Sequence, residues 1–161
     1  MNSTLRDHLL ELLGKGGAHV GFDAAVADVP VELRGARVPN VPHTAWRLVE
    51  HLRIAQADIL AFSIDARHRS PPWPDGYWPT TDAPPDPAAW DRSVAAFQSD
   101  RSAMIALISR SDIDLLAPLP HGHGQTLARE AMLMADHAAY HIGQLILLRR
   151  ALGCWPDSPN G

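Results

Sequence analysis

The segment Asp136-His137-Ala138-Ala139-Tyr140-His141-Ile142-Gly143-Gln144-Leu145 decides how this chain is read. His137 and His141 are four residues apart, so on a helix of about 3.6 residues per turn they stand one above the other. Leu127, Met134, Ala138, Ile142, Leu145, Leu148 and Leu152 recur at three- and four-residue steps or their sum, and both histidines fall inside that apolar stripe. The spacing therefore predicts two imidazoles directed toward the interior. Burying two polar rings side by side costs free energy unless each finds a partner. A shared cation would satisfy both, and so would hydrogen bonds to neighbouring side chains or water. The 161-residue chain has 9 His, and chance alone gives about half of one such pair. The pair by itself does not choose between the two.

A third histidine adds to the pattern. Thr44 is a good N-cap, and Ala45 to Leu60 then reads as a second helix whose buried stripe takes Leu48, Leu52, Ala55, Ile59 and Phe62. His51 lies three residues after Leu48 and four before Ala55, on the same side. If His51 meets His137 and His141, three neutral imidazoles on two facing helices form a half-cage with one side open, the ligand count of a catalytic rather than a structural zinc site. Glu130 and Gln144 lie seven residues before and after His137, and Asp58 lies seven after His51, so each shares a face with a histidine and is a candidate to orient a ligand. An ordinary polar residue at the stripe's edge is the plain alternative for all three.

The first helix is expected from Ser3 to about Asp28, on the spacing of Leu5, Leu9, Leu12, Leu13, Val20 and Phe22, with a kink or a close helix contact at Gly14, Gly16 and Gly17. His19 on this segment is a further ligand candidate. Pro30 to Pro42 holds three prolines and no period, so it is a connection. Arg67 to Pro87 holds seven prolines with Trp73, Tyr77 and Trp78, and can be neither helix nor central strand. A long loop this rich in rings is expected to pack, either as a lid or pocket wall over the histidines or as a crossover whose rings fill an end of the fold or a dimer contact. Asp86 as N-cap and Pro87 at the first helical position announce a third helix, with Trp90, Val94, Phe97, Met104, Ile105 and Ile108 on its apolar side, ending by about Asp112. His121 and His123 sit on a Gly-rich turn, too loosely held for a preorganised site, and are read as solvated or rim residues. Thr126 caps the fourth helix; Gly153 and Pro156 stop it. The fold class is all-α, a four-helix bundle in one domain over residues 1–161, with long loops between helices one and two and between two and three.

Composition narrows the function classes. The formal net charge is −4 and no Lys/Arg cluster occurs, so no electrostatic footprint for nucleic acid is present. No apolar run approaches 18 residues, and Arg6, Asp7 and Glu11 interrupt the N-terminal segment, so neither a membrane span nor a signal peptide is expected and a cytoplasmic location is. The lone Cys154 excludes an internal disulfide.

Trp46, His51 and Gln56 in a Trp-x-x-x-x-His-x-x-x-x-Gln setting, followed by His137, His141, Gln144 and Leu145 as His-x-x-x-His-x-x-Gln-Leu, resemble the DinB/YfiT-like superfamily of bacterial proteins. The resemblance covers nearly the whole chain, in helix order as well as motif. It implies a four-helix bundle, often a homodimer, with a divalent metal on His51, His137 and His141; zinc or nickel is expected first, and three imidazoles suit copper and iron as well. Some relatives are thiol-dependent S-transferases or isomerases, so a small-molecule substrate and a low-molecular-weight thiol cosubstrate are implied here. A metal with one open position lowers the pKa of water or a thiol. No Glu follows either ligand in the His-Glu-x-x-His manner, so no general base is advertised. Three functions stay open: a metal-dependent enzyme, a metal-containing binding protein with a pocket roofed by Trp73, Tyr77 and Trp78, and a dimerisation scaffold whose histidines do no chemistry.

Overall fold

The computed structural model describes residues 2–156, and every regular element among them is helical. Residues 1 and 157–161 of the expected domain lie outside the described residues. Helix α1 spans Asn2–Lys15, α2 Phe22–Val26, α3 Ala45–Ile64, α4 Ala89–Ser109 and α5 Leu127–Ala151. The only pairing of extended backbone among the described residues is the isolated bridge between Pro118 and Thr126.

Where the sequence carried a strong cap, the helix begins as expected. Thr44 Oγ1 accepts from the Arg47 amide at 3.2 Å, and Thr126 Oγ1 accepts from the Arg129 amide at 3.2 Å. Two other expectations need correction. The first helix does not run to Asp28: it stops at Lys15, where Gly16 takes the left-handed φ of +78°, and a separate five-residue helix, α2, follows. The glycines neither kink a continuous helix nor seat a close helix contact, since a Cβ at Gly14, Gly16 or Gly17 would meet nothing within 4 Å; they give a full break, because a Gly in that conformation stops a helix at no steric cost. Helix α4 starts at Ala89, so its N-cap is Ala88 rather than Asp86 and its first helical residue is Ala89 rather than Pro87. Asp86 instead holds the preceding turn, its carboxylate accepting from the Ala88 amide at 3.0 Å and pairing with Arg92 at 2.7 Å.

Helix α3 packs on α4 and α5, and α1 packs on α4 and α5 from the other side. The core falls into two apolar clusters. One gathers Phe22, Leu48, Leu52, Trp90, Phe97, Leu145 and Leu148; the other gathers Leu9, Ile59, Met104, Ile108, Leu127 and Met134. His51 follows Leu48 on α3 and His141 precedes Leu145 on α5, which sets the histidines beside the first cluster. The Arg6 guanidinium closes the end of α4, donating to the Ile108 carbonyl and to that of Ile113 at 2.8 Å. No helix of the described residues is long and apolar enough to cross a membrane.

The connection between α3 and α4 is pinned over α3 rather than left in solvent. Thr44 Oγ1 donates to the Asp82 carbonyl at 2.6 Å, and Trp46 Nε1 donates to Thr81 Oγ1 at 3.2 Å. Within it Gly76 is required by contact: a Cβ there would stand 2.8 Å from Pro71 Cβ and 2.9 Å from Pro72 Cδ.

Candidate metal centre

The three histidines meet. His51 Nε2 lies 3.0 Å from His137 Nε2 and 3.1 Å from His141 Nε2. His51 is 3% exposed and His141 7%, with His137 half-buried between them and the surface. One ligand atom from each ring falls within 4.8 Å of the others, a set able to hold a metal ion. A tetrahedral ion with metal–nitrogen bonds of about 2.0–2.1 Å keeps its ligand nitrogens about 3.3 Å apart, so only small ring shifts separate this arrangement from a coordinated one.

Proton placement shows why a cation fits there. His51 Nδ1–H donates to the Tyr77 carbonyl at 2.8 Å, and His141 Nδ1–H donates to Gln144 Oε1 at 3.0 Å. Both acceptors are oxygens, so the proton of each neutral ring sits on Nδ1 and Nε2 carries its lone pair toward the centre. Two lone pairs 3.1 Å apart repel unless a proton or a metal stands between them. A proton is held back. Burial pushes His51 down to about 4, outweighing the Tyr77 carbonyl, and burial with the neighbouring imidazoles pushes His137 to about 4. His141 is also lowered by burial, against the pull of Gln144. At neutral pH the centre is three neutral nitrogen donors, which is the protonation state a metal needs.

The loop over α3 builds the rest. The Trp78 ring stacks on His51 with centroids 3.9 Å apart and planes 3° apart, and His43 stacks on its other face at 4.0 Å. The result is a His43–Trp78–His51 sandwich. Tyr77 contributes its backbone carbonyl, while its hydroxyl donates to Asp58 Oδ2 at 2.6 Å. Asp58 also holds His68 Nε2 at 2.6 Å, so it reaches the centre only through Tyr77. Burial and the Asp58 carboxylate push the Tyr77 phenol up to about 12, keeping it a donor.

The remaining candidates lie elsewhere. Glu130, 2% exposed, pairs with Arg129 at 2.7 Å and makes no hydrogen bond to the three rings. Trp73 is 79% exposed and touches Tyr77 edge-on, so it does not wall the centre. His19 is exposed, with its Nδ1 on the Val20 carbonyl; His121 anchors its turn to the Phe62 carbonyl at 2.6 Å; His123 is exposed. Of the motif residues, Trp46 ties down Thr81 and Gln56 donates to the Phe97 carbonyl, so both are structural. Sequence reasoning missed His43 and the Tyr77 carbonyl. The first shows only as a histidine just before an N-cap, and the second belongs to a backbone atom with no residue signature.

An all-helical fold with three convergent histidines compatible with a metal site defines the class. The family model of the DinB superfamily matches residues 19–145, and the chain belongs to that superfamily. The match takes in all three histidines and leaves α1 outside. No curated protein and no solved structure matches the chain.

Proposed function

We propose that His51, His137 and His141 hold one divalent metal ion, zinc or nickel first, through their Nε2 atoms, and that the protein is a metal-dependent S-transferase-like enzyme acting on a small molecule. The observation that carries this reading is the pair of Nδ1–H donations, to Tyr77 and to Gln144, that turn two lone pairs onto one point. The architecture that goes with it is a four-helix bundle of the DinB/YfiT-like type, one domain, cytoplasmic and homodimeric.

Three protein ligands leave a coordination position for a reactant, and an ion there supplies Lewis acidity that lowers the pKa of a thiol or a water molecule. The chain's own residues do the rest. Tyr77 and Gln144 fix the ring tautomers, Trp78 shields the His51 face from water, and desolvation keeps the imidazoles neutral. Among the described residues the rings' hydrogen bonds go to Tyr77, to Gln144 and to one another, and none goes to a carboxylate. A thiol, already near a pKa of about 8.5, needs less help, and this favours a low-molecular-weight thiol as cosubstrate. The same feature keeps a second reading in play, a metal-containing small-ligand binder that does not turn its ligand over.

Incubating metal-loaded protein with electrophile panels and glutathione-like, mycothiol-like or bacillithiol-like thiols tests the enzyme reading. Thioether formation abolished by His141→Ala is the expected result. Stoichiometric metal with no turnover across the panels would leave the binder.

A further inference from the structure

A second site lies on the neighbouring face of α5. A cleft of about 280 Å³ is walled mainly by Leu13, Phe22, Phe97, Met134 and Ile142; the buried Gln56 also lines it, with its amide committed to the Phe97 carbonyl, and none of the three clustered histidines does. It exists because Ala135, Ala138 and Ala139 present short side chains where larger ones would fill the space, opposite the break that separates α1 from α2. Cavities of this size lower stability in proportion to their volume, and an apolar lining gives water few partners. Such a space suits an apolar ligand body better than solvent.

The mouth selects the other end of that ligand. Lys15, Arg101 and Asp23 ring it. Asp23 is already compensated, accepting from Arg101 at 2.8 Å and from Gln98 at 2.8 Å. Lys15 makes no ion pair among the described residues, so the rim keeps an excess positive charge on a chain whose net charge is −4. An apolar body with one anionic end is complementary to that layout.

We propose that this cleft binds a small monocarboxylic acid with an apolar tail, at a site separate from the histidines and independent of whether they hold a metal. Methionine methyl labelling locates the event, because Met134 lines the cleft while Met104 is buried in the core and Met132 is exposed on the outer face of α5. Decanoate, decanol and decylamine are titrated in turn. Decanoate is expected to move the Met134 methyl saturably, with Met104 and Met132 unmoved, and to bind at least about 5-fold tighter than decylamine. Ala139→Phe, which fills the cleft, is expected to abolish the shift. The single variant Lys15→Gln, which removes the exposed cation and leaves the Arg101–Asp23 pair in place, is expected to weaken decanoate about 5-fold and leave decanol unchanged. The inference fails if no saturable Met134 shift occurs up to about 5 mM decanoate, a range that captures even weak fragment-like binding. It fails equally if decylamine binds as tightly as decanoate, or if Lys15→Gln binds decanoate unchanged.

Discussion

His51 carries two jobs on one ring: its Nδ1–H is committed to the Tyr77 carbonyl so that Nε2 is free for the centre. Burial holds it and His137 at about 4, against an ordinary value of 6.5. In the metal-free protein the unfolded chain therefore binds more protons than the folded one throughout that interval, so stability rises with pH across it. The contribution is complete above pH 6.5 and is lost as the pH falls through about 4. The urea midpoint of metal-free protein should hold steady from neutral pH upward and decline on acidification below 6.5; a midpoint that climbs on acidification would contradict the assignment. Gln144 gives a second residue-scale prediction. Gln144→Leu removes the acceptor of His141 Nδ1–H and should weaken metal binding about 10- to 100-fold, measured by chelator competition. The residue was legible in the sequence by its spacing from His137. Its actual partner is His141, three residues away, because a side chain on a helix reaches its i−3 neighbour more readily than one two turns off.

At the scale of elements, the centre depends on a loop as much as on helices. Asp58 on α3 holds the Tyr77 hydroxyl and His68, and this clasp keeps the Tyr77 carbonyl over His51 and Trp78 against its face. Asp58→Ala should lower metal affinity about 10-fold while helix content stays unchanged by circular dichroism. Unchanged affinity would show that the loop is held by its other anchors. Gly76→Val should act in the same direction, since even a Cβ collides with Pro71 and Pro72. The helices themselves could be read in advance where Thr44 and Thr126 cap them, because capping is local chemistry. The break after Lys15 was visible only as a weakness, since sequence shows that a glycine permits a left-handed turn and not that the chain takes one. The loop was recognisable as packed, yet which ring would meet which histidine was not: Trp78 stacks on the site while Trp73 faces solvent. That choice is made by tertiary packing, which leaves no periodic trace.

At the scale of the molecule, separate elements are joined by a few buried polar ties. Arg149, 2% exposed near the end of α5, donates to the Ala25 carbonyl at 2.9 Å and the Ala24 carbonyl at 3.3 Å in α2, and to the Cys154 carbonyl at 2.8 Å. Its sequence setting, Arg149-Arg150 in a last helical turn, reads as surface charge; only the approach of α2 makes it interior. Arg149→Met should destabilise the protein by about 2–3 kcal/mol in urea unfolding, because the carbonyls lose charged donors without regaining water. Metal affinity should be little altered, since α2 contributes nothing to the histidine centre. The three-histidine pattern could be read from the sequence because it is set by spacing along α3 and α5, whereas the division of the first helix into α1 and α2 could not. The convergence of His51 on the other two could not, for it depends on how those helices pack. Metal analysis of protein purified without an affinity tag addresses that convergence directly. The account predicts about one zinc or nickel ion per chain, falling below about a tenth in His51→Ala, since two remaining imidazoles make a poor site. Wild-type protein with less than about a tenth of an ion per chain, and no uptake when zinc or nickel is added, would contradict it.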